Sequence, residues 1–510
     1  MNQIANKKIK DIESLAKTVA TLKKKGKKVV QCHGVFDLIH LGHIRHFNLA
    51  KKEGDILIVT LTKDKHVKRG PGRPIFNELL RAETLASLEI TDYVAVVESP
   101  TAIEAIKTLR PDVYVKGSDY KEKAKDVTGM IYDEEEAVKS VGGRLAFTDD
   151  ITFSSSHLIN NYLESYPPGT IKYLKAIGKR YSIDDVLSSL RKPKSMKALV
   201  LGDAIIDQYH YCSPMGKSAK ESLVVTRFVE DEMFAGGAFA TANNVASICD
   251  QVDFITVLGE QETLQSFIQG KLSANVQPTF FYRSETCTTI KRRYVDNWSK
   301  KKLFEICFMK DNLISKSIET KILKHLKNVI SEYDLVIVSD FGHGLMTPGI
   351  IDFVCRSAKY LAINVQTNSA NRGFNLVTKY PRADCVCIDY RELCLAAHDK
   401  YSDYKTLIKK VNSLISTEYI IATRGHLGSV CYSEKDGFHD TPAFADKVVD
   451  LIGAGDAFFA FVAPCFAAGI PQELVSFIGN AVGSLAVQII CNREPVSAVD
   501  LSKFITRLLK

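Results

Sequence analysis

Apolar runs of strand length alternate with segments of helical spacing over the first 165 residues. The apolar runs are residues 29–33, 55–61, 93–97 and 112–115. The helical segments between them are residues 44–50, 77–89 and 101–109. This alternation predicts a parallel sheet with helices on both faces, in which ligands bind beyond the carboxyl ends of the strands.

The pattern changes after residue 164. Tyr-Pro-Pro-Gly at residues 166–169 cannot continue a helix, and helical spacing resumes only at residues 183–190. At 510 residues the chain is long enough for more than one domain. We therefore predict a first domain over residues 1–165, a basic linker over residues 166–181 and a second domain over residues 182–510.

The second domain opens with an apolar strand at residues 198–203, which runs on to Asp207. A helix is predicted through residues 243–246. The longest apolar run, residues 457–470, has fourteen residues and contains Pro464, so it is too short to span a bilayer. The N-terminus lacks the apolar stretch of a signal peptide. These features predict a cytoplasmic protein without a membrane partner.

Composition and charge narrow the function classes only slightly. The net charge of +8 is spread along the chain and suits phosphorylated substrates without requiring them. The basic run at residues 23–28 is interpreted as a solvated helix end rather than a nucleic-acid contact. The twelve cysteines contain no Cys-x-x-Cys pair and no usual zinc spacing, which predicts buried thiols in a reducing compartment.

The ten residues after the first strand carry the strongest chemical signal. Residues 34–43 read Gly-Val-Phe-Asp-Leu-Ile-His-Leu-Gly-His, a glycine turn that leads into a helix. A helix N-terminus offers unpaired amides and a positive dipole end to a nucleotide phosphate. His40 and His43 can both face that phosphate, and Gly42 leaves room for it. The bare His-x-Gly-His motif also fits a histidine-rich turn with one satisfied core histidine.

Three more segments follow predicted strands, at residues 62–73, 116–120 and 153–157. Lys68 and Arg69 lie beside glycines and suit triphosphate contacts, although a solvated turn has the same composition. The serines at residues 154–156 offer hydroxyls and amides to a phosphate, or they cap the next helix.

A second phosphate motif lies near the end of the chain, at residues 453–456. In Gly-Ala-Gly-Asp, small residues let backbone amides crowd together ahead of an apolar helix and form an anion hole. Asp456 is placed to take a proton from an alcohol that attacks ATP. The alternative is an ordinary turn with Asp456 as a helix cap. Gly216-Lys217-Ser218 is not a P-loop, because Tyr211 stands where that motif needs a glycine.

The first domain resembles the nucleotidyltransferases that include cytidylyltransferases and sugar-phosphate adenylyltransferases. Further motifs at residues 67–74, 110–120 and 142–144 make residues 28–163 similar to the adenylyltransferase half of bifunctional heptose kinase/heptose-1-phosphate adenylyltransferases. The resemblance implies a Rossmann-like fold with a catalytic set of His40, His43 and Lys68. The nucleotide-binding positions that it implies are Gly34, Phe36, Gly42, Arg81, Lys116, Ser154, Ser155 and Ser156. His157 departs from the family pattern.

The second domain resembles the ribokinase-like (PfkB) sugar kinases, and specifically the heptose kinase half of the same bifunctional enzymes. The resemblance implies an α/β kinase fold with Asp456 as the base. It implies nucleotide contacts at Thr423, Gly425, Gly453, Ala454, Gly455 and Asn492. It implies substrate contacts at Asp203, Asp207, Gly236, Gly237, Asn244 and Asp340. It places Asp389 and Glu392 near Mg²⁺ and the phosphates of ATP.

Three positions depart from the kinase pattern. Ala240 stands in place of a sugar-binding asparagine, Asn364-Val365-Gln366 replaces Asp-Pro-Lys, and His343 replaces a lysine. The glycine turns and the base remain while polar pocket residues differ, which favours an altered sugar over an inactive kinase. The domain order is the reverse of the familiar bifunctional enzyme, in which the kinase comes first.

The sequence thus predicts a two-domain α/β enzyme that makes a nucleotide-activated sugar. The kinase phosphorylates a sugar or sugar phosphate at the anomeric position with ATP and Mg²⁺. The nucleotidyltransferase joins the nucleotide to the sugar 1-phosphate and releases pyrophosphate. ATP and a heptose are favoured, and CTP stays open. A 7-phosphorylated sugar would need a separate phosphatase between the steps, and a homodimer through the kinase domain is expected.

Three alternatives stay open on the sequence alone. The first domain fits a cytidylyltransferase that acts on another sugar or polyol phosphate. The kinase-like domain fits a non-catalytic scaffold that regulates the first domain. Nucleic-acid binding is the weakest reading, because His-x-Gly-His also occurs in aminoacyl-tRNA synthetases but their Lys-Met-Ser-Lys-Ser loop is absent here.

Overall fold

The computed structural model describes residues 7–67, 73–117, 130–148, 166–445 and 448–510. The chain divides into two units. The first unit is Met1–Pro167 with Ser502–Lys510, and the second unit is Pro168–Leu501. Lys68 and the serines at residues 154–156 lie outside the described residues.

A five-stranded parallel sheet in the order β3-β2-β1-β4-β5 forms the centre of the first unit. Its strands are β1 (Val29–Gly34), β2 (Ile56–Thr62), β3 (Tyr93–Val97), β4 (Val113–Gly117) and β5 (Arg144–Thr148). Its helices are α1 (Ile12–Lys24), α2 (Leu41–Lys51), α3 (Glu78–Ala86), α4 (Ile103–Leu109) and α5 (Met130–Ser140). The predicted parallel α/β fold is confirmed.

Alternate residues of β1 enter two different cores. Val30 and Cys32 pack with Phe47 of α2 on one face, and Val29 packs with Leu15 of α1 on the other. A strand buried on both faces reads as a continuous apolar run, which is why β1 is visible in the sequence. The strand order reverses at β1, so its carboxyl end borders the crevice in which open α/β sheets bind ligands.

The second unit contains two sheets. Its strands are β6 (Lys197–Gly202), β7 (Ala204–Lys217), β8 (Val224–Gly237), β9 (Gln251–Gln261), β10 (Val276–Cys287), β11 (Thr289–Asp296), β12 (Lys302–Phe308), β13 (Leu335–Asp340), β14 (Leu361–Val365), β15 (Cys385–Asp389), β16 (Tyr419–Thr423), β17 (Ser429–Ser433) and β18 (Gly437–Thr441). The larger sheet has the order β10-β9-β6-β13-β14-β15-β16-β17-β18, and the smaller has the order β12-β11-β7-β8. All pairs from β10 to β16 in the larger sheet are parallel, while β17 and β18 are antiparallel.

The remaining helices belong mostly to the second unit, while the part of the last helix from Ser502 onward belongs to the first unit. They are α6 (Pro168–Arg180), α7 (Ile183–Arg191), α8 (Ala238–Val245), α9 (Gln265–Lys271), α10 (Lys316–Val329), α11 (Pro348–Ser357), α12 (Tyr390–Ala396), α13 (Tyr404–Leu414), α14 (Ala454–Ala467), α15 (Gln472–Ala486) and α16 (Ala498–Leu509). Most of the segment expected to be a linker is therefore helix α6. The long apolar run is α14, whose side chains from Asp456 to Phe466 are buried.

No helix within the described ranges is long and apolar enough to cross a membrane. The twelve cysteines are free thiols, and nine of them are buried, in agreement with the sequence. Cys287 and Cys394 are half-buried, and Cys307 is exposed because strand β12 has no buried residue.

Gly202 ends β6 where three elements meet tightly. A Cβ at this position would lie 2.3 Å from the carbonyl oxygen of Ser339 and 2.6 Å from the Cβ of Ala238. Because the backbone of Ser339 cannot move aside at low cost, Gly202→Ala should lower the free energy of unfolding of the second unit by about 1–3 kcal/mol. Calorimetric thermal unfolding measures this loss.

Gly270→Ala provides the matched control, because a Cβ there would meet no atom within 4 Å. Gly270 lies inside α9, where alanine is the better helix former by about 1 kcal/mol. Equal melting temperatures for the two variants would contradict the packing described at Gly202.

Candidate active sites

His40 and His43 meet at the N-terminus of α2. The Nδ1 of His40 accepts a hydrogen bond from the amide of Gly42 at 3.1 Å, and the Nδ1 of His43 accepts one from the amide of His40 at 3.4 Å. The two rings lie 4.0 Å apart between centroids. Each histidine thus occupies a helix-capping position usually taken by serine or glutamate, which fixes the direction of both rings.

The second ring nitrogen of His40 is buried and has no hydrogen-bond partner among the described residues. Burial lowers the pKa of His40, so its imidazole is neutral. A neutral ring that accepts at Nδ1 carries its proton at Nε2. A buried N–H without a partner costs about 1–3 kcal/mol, a cost that an anionic ligand at the helix N-terminus would offset.

Two residues of the same loop support the histidines. Phe36 has a left-handed backbone, with φ of 50°, and its ring packs edge-on against His43 at 5.5 Å. Gly34 is required there, because a Cβ would lie 2.9 Å from the Phe36 ring. Asp37 accepts hydrogen bonds from Ile75 N at 2.7 Å and from Arg73 Nη1 at 3.0 Å. This role of Asp37 has no signal in the sequence, since its partners lie far along the chain.

Arg81 is buried in the protein, with 1% of its surface exposed. Its guanidinium donates to the carbonyl oxygens of Val35, Thr62 and Phe76 and to the carboxylate of Asp64. These bonds tie the loop after β1 to the segment after β2. In this conformation Arg81 positions both loops, and its expected nucleotide contact stays a prediction that requires these bonds to open.

Lys116 lies near the end of β4, and two histidines not singled out from the sequence lie on other elements of the first unit, His33 near the end of β1 and His46 in the middle of α2. Lys116 pairs with Glu134 at 2.8 Å. His33 contacts the hydroxyls of Thr60 and Thr62, and His46 contacts that of Thr148. Burial, aided by the charge of Lys116, lowers the pKa of His33 to about 3 and that of His46 to about 4. His33 could have been found from its place at the carboxyl end of β1.

Asp456 occupies the first turn of α14 in the second unit. Gly453 precedes the helix with φ of 86°, and a Cβ there would collide with the side chain of Asn492. Around Gly455 a Cβ would meet no atom within 4 Å. The first amides of a helix have no partner within it, so this open turn presents N–H groups to an anion beside Asp456.

Asp456 is buried, and Gln366 Nε2 donates a hydrogen bond to its Oδ1. The same Nε2 lies 3.1 Å from Asn364 Oδ1. Burial raises the pKa of the Asp456 carboxyl to about 7, with the Gln366 bond opposing the rise and nearby Asp207 adding to it. A carboxyl group with a pKa near the operating pH suits general base catalysis.

Asp207 faces Asp456 from β7 and is held by Arg293 of β11, which also contacts Glu305 at 2.7 Å. Gly236 makes room, because a Cβ there would lie 1.9 Å from Asp207 Oδ2. Lys291 lies beside Asp207 in the strand register, and its charge also acts on Asp456. Neither cation could be placed here from the sequence, since only the pairing of β11 with β7 brings them to this site.

Three expected substrate ligands are satisfied within the protein. Asp203 accepts backbone amides of residues 341, 343 and 345, and Asp340 accepts from Tyr380 at 2.7 Å and Lys379 at 2.6 Å. Asn244 donates to Ala240 O at 2.8 Å and accepts from Val496 N at 2.9 Å. All three brace the loops around the site, and their contact with a sugar stays a prediction.

The carboxyl ends of β15 and β16 lie side by side, so that Asp389 pairs in register with Thr423. Asp389 caps α12, and Glu392 accepts the amides of Thr367 at 2.7 Å and Asp389 at 3.1 Å. Burial raises the pKa of Glu392 to about 7, and the charge of Asp456 contributes to the rise. Gly425 follows in a turn with φ of 56°.

The described residues contain no group of three or more histidine, cysteine, aspartate or glutamate side chains that would hold a metal by themselves. Mg²⁺ bound with nucleotide phosphates usually takes only one or two carboxylates from the protein. Asp389 and Glu392 fit this donor set, and the charge of Asp456 acts on Glu392.

Comparison with family models identifies both units. Residues 196–495 match the pfkB family carbohydrate kinases, which is more than half of the chain. The chain belongs to the pfkB family of carbohydrate kinases. Residues 32–161 match the cytidylyltransferase-like family. The chain is therefore a transferase with the nucleotidyltransferase-like domain first and the kinase second, in the order predicted from the sequence.

Curated relatives match the N-terminal region. The bifunctional protein HldE of Aliarcobacter butzleri is 45% identical over 143 residues, which are 28% of this chain and 30% of that protein. HldE of Syntrophotalea carbinolica is 38% identical over 165 residues, or 32% of each chain. The matches thus span about a third of the length of these relatives.

Solved structures share the fold of the kinase. Ribokinase from Thermotoga maritima superposes with a TM-score of 0.50 at 18% identity, covering 61% of this chain and 99% of that one. Phosphofructokinase-2 from Escherichia coli gives a TM-score of 0.50 at 14% identity, covering 62% and 100%. These likenesses show a ribokinase-like fold.

The hydrogen bond from Gln366 to Asp456 makes a pH prediction. Kinase activity should rise through an apparent pKa near 7, because the Asp456 carboxyl must lose its proton to act as a base. Gln366→Leu removes a bond that favours the ionised form, so the profile should move to higher pH by about one unit. Initial rates from pH 5.5 to 9.5 measure it.

Glu392 also has a pKa raised to about 7, so the wild-type profile alone does not identify the group. A shift of the pH profile in Gln366→Leu identifies the group as Asp456, since Gln366 donates a hydrogen bond to Asp456. Gln265→Leu, which loses only a bond to Tyr282, is the matched control. An unmoved profile in Gln366→Leu would show that another group limits the rate.

Proposed function

We propose that this chain makes a nucleotide-activated sugar in two reactions. The second unit phosphorylates a sugar or sugar phosphate, with heptose 7-phosphate as the first choice, at its anomeric hydroxyl. The first unit then joins the nucleotide of ATP to the sugar 1-phosphate and releases pyrophosphate. Two observations in one chain carry the proposal. The buried Nε2 of His40 has no hydrogen-bond partner among the described residues and lies at the N-terminus of α2. The buried Asp456 lies in the first turn of α14, where Gly455 faces open space.

In the kinase reaction Asp456 takes the proton of the attacking hydroxyl while Gln366 holds its other oxygen. The amides of residues 453–455 stabilise negative charge on the transferred phosphoryl group. Asp207 orients a sugar hydroxyl, and its ion pair with Arg293 holds Asp207 in place. Asp389 and Glu392 would hold Mg²⁺, which would supply positive charge to neutralise the nucleotide phosphates.

In the transfer reaction the nucleophile is a phosphate oxygen that is already ionised, so no base is required. The neutral His40, together with His43, donates from Nε2 to the α-phosphate as negative charge develops on its oxygens. The N-terminus of α2 supplies its dipole and amides to the same group. Lys68, Lys116 and the serines at residues 154–156 complete the proposed set, as the sequence predicts.

The remaining parts of the proposal concern partners and setting. If the sugar enters as a 7-phosphate, a separate phosphatase acts between the two reactions. We place the enzyme in the cytoplasm and propose a homodimer through the kinase unit. Exposed apolar side chains on β8 and β12 support a second copy as partner there, among them Val224, Phe228, Phe304 and Ile306.

His40→Ala and His43→Ala should each lower nucleotidyl transfer by about 10²-fold, because each removes a donor from the charged transition state. The assay measures pyrophosphate release with a panel of sugar 1-phosphates and each nucleoside triphosphate. Asn48→Ala, on the same helix but beyond its first turn, is the control and should change the rate little.

Two outcomes of this assay would count against the proposal. Unchanged pyrophosphate release in both histidine variants would remove the assigned role of α2. A preference for CTP with every sugar phosphate would favour the alternative of a cytidylyltransferase that acts on another sugar or polyol phosphate.

Asp456→Asn separates the two reactions. It keeps the shape of the turn but cannot accept the proton, so sugar phosphorylation should fall by about 10² to 10⁴-fold. Transfer to a supplied sugar 1-phosphate should stay near wild type, since the two units have their own cores. Conversely, His43→Ala should accumulate sugar 1-phosphate. If the wild type phosphorylates nothing in a broad panel, the second unit is a scaffold.

A further inference from the structure

Asp450 is a buried carboxylate shortly before the turn that carries the amides of residues 453–455. Its side chain is 4% exposed. Oδ2 accepts hydrogen bonds from the hydroxyl of Tyr209 at 2.7 Å and from the amide of Cys491 at 3.1 Å. Oδ1 accepts the amide of Ile452 at 3.1 Å. Asp450 has no part in the proposed kinase reaction, although Ile452 directly precedes that turn.

The two amides that Asp450 accepts belong to the two segments that shape this turn. Ile452 lies immediately before Gly453, whose φ is 86° at the start of α14. Cys491 lies immediately before Asn492, and a Cβ on Gly453 would lie 2.0 Å from the Oδ1 of Asn492. Cys491 itself has a left-handed backbone with φ of 50°, which its side chain disfavours. The carboxylate of Asp450 therefore holds both segments in one arrangement.

Lys302 supplies the positive charge beside this carboxylate. Its Nζ lies 2.7 Å from Asp450 Oδ1 and 5.4 Å from the centroid of the Tyr209 ring. Burial opposes ionisation of Asp450, but the hydrogen bonds from Lys302, Ile452 and Tyr209 outweigh it and lower the pKa of the carboxyl. A carboxylate bonded to a cation and to several further donors is held in one orientation.

Lys302 comes from the smaller sheet, whereas Asp450 lies on the loop before α14. Lys302 begins β12, where it pairs in register with Val295 of β11. Arg293, which also lies on β11, holds Asp207. The smaller sheet therefore contacts the sugar side of the site through Arg293 and the turn at residues 453–455 through Lys302. The sequence does not indicate this second contact, because Lys302 and Asp450 are 148 positions apart.

A solely structural anchor is the alternative role for this ion pair. The side chain of Lys302 is 37% exposed, and ion pairs with exposed partners contribute little to stability. The pair is therefore too weak to decide whether the second unit folds. Its loss would still free Oδ1 of Asp450 to turn and to release the amide of Ile452. Groups that stabilise a transition state have to be placed to within about 0.5 Å, so the rate should respond before the stability does.

We propose that Lys302 is a positioning residue of the kinase, which aligns the amides of residues 453–455 with the transferred phosphoryl group through its ion pair with Asp450. The inference rests on the proposed kinase function and adds to it a residue that acts without touching the reacting atoms. Because these amides act mainly on the phosphoryl group in the transition state, their misalignment lowers kcat more than it raises KM for the sugar.

The first test is kinetic and uses a sugar or sugar phosphate that the wild type accepts. Lys302→Ala should lower kcat for phosphorylation by about tenfold or more, because displaced amides stabilise the transition state less well. KM for the sugar should change by less than about threefold. Nucleotidyl transfer by the same variant should stay at the wild-type rate. Lys301→Ala removes an exposed lysine at the neighbouring position and should leave both activities unchanged.

Rescue by a free amine distinguishes positioning from a loss of folding. Propylammonium has the heavy atoms that Lys302→Ala removes, and it should restore part of the lost kcat. Tetramethylammonium at the same concentration carries the charge but has no N–H donor, so it should not restore kcat. Equal effects of the two salts would contradict a role for the bond to Asp450.

A double variant tests whether Lys302 acts through Asp450. Asp450→Asn removes the negative charge and keeps the shape of the side chain. If the two residues act as one unit, adding Lys302→Ala to Asp450→Asn should lower kcat no further. A further loss as large as that in the wild-type background would show that Lys302 acts elsewhere, and the proposal would be wrong.

Hydrogen exchange tests the arrangement without a kinase substrate. In Lys302→Ala the amide protons of Ile452 and Cys491 should exchange faster by about tenfold or more, since both are bonded to Asp450. In Lys301→Ala they should exchange as in the wild type. Mass spectrometry of the peptides that contain these amides measures the rates. Equal exchange in the two variants would overturn the proposal.

The outcomes separate this inference from the proposed function. If the wild type phosphorylates no sugar or sugar phosphate, the proposed kinase function fails, and hydrogen exchange still decides whether Lys302 positions the turn. If a sugar is accepted but Lys302→Ala keeps the wild-type kcat, the kinase function stands and the positioning role is wrong.

Discussion

The kinase unit depends on a buried carboxyl group whose direct partner among the described residues is an uncharged amide. Asp456 receives its hydrogen bond from Gln366 at a position where related kinases carry lysine. A lysine there would favour the ionised carboxylate and pull its pKa far down. With glutamine, burial dominates and the pKa rises to about 7. The glutamine therefore keeps a hydrogen-bond donor on Asp456, and a pKa near 7 supports the proposed role of this carboxyl as the base.

Because Gln366 is uncharged, the negative charge of bound phosphates has to be balanced by cations on other elements. Lys291 and Arg293 approach from strand β11, on the smaller sheet, whereas Gln366 directly follows β14 of the larger sheet. Their position depends on the parallel pairing of β11 with β7, which sets Lys291 beside Asp207. The smaller sheet is thus part of the electrostatics of this site.

The raised pKa of Asp456 also makes the stability of the fold depend on pH. Its contribution to stability is fully present below about pH 4 and is lost as the pH rises to about 7, because first the unfolded and then the folded carboxyl ionises.

The sequence predicted what local periodicity and glycine turns determine. Strand β1 and the start of α2 were visible because an apolar run ends at Gly34 and two histidines follow at helical spacing. The bonds that satisfy Arg81, Asp203 and Asn244 were not visible, since each joins segments that are distant along the chain. A polar residue in a family motif looks the same in sequence whether it binds a ligand or braces a loop.

The three departures from the kinase pattern have different surroundings, and this decides how they act together. Gln366 donates to both Asn364 and Asp456. Ala240 is buried in α8, where its carbonyl oxygen accepts from Asn244. His343 and Arg283 line a pocket at the carboxyl edge of the larger sheet. Replacing a lysine by His343 removes a charge, and the guanidinium of Arg283, which donates to the carbonyl oxygen of His343 at 3.4 Å, places a cation beside it. The anion hole at residues 453–455 is unaltered by any of them. The departures spare residues 453–455, which supports the proposal that the kinase takes an altered sugar and retains phosphoryl transfer.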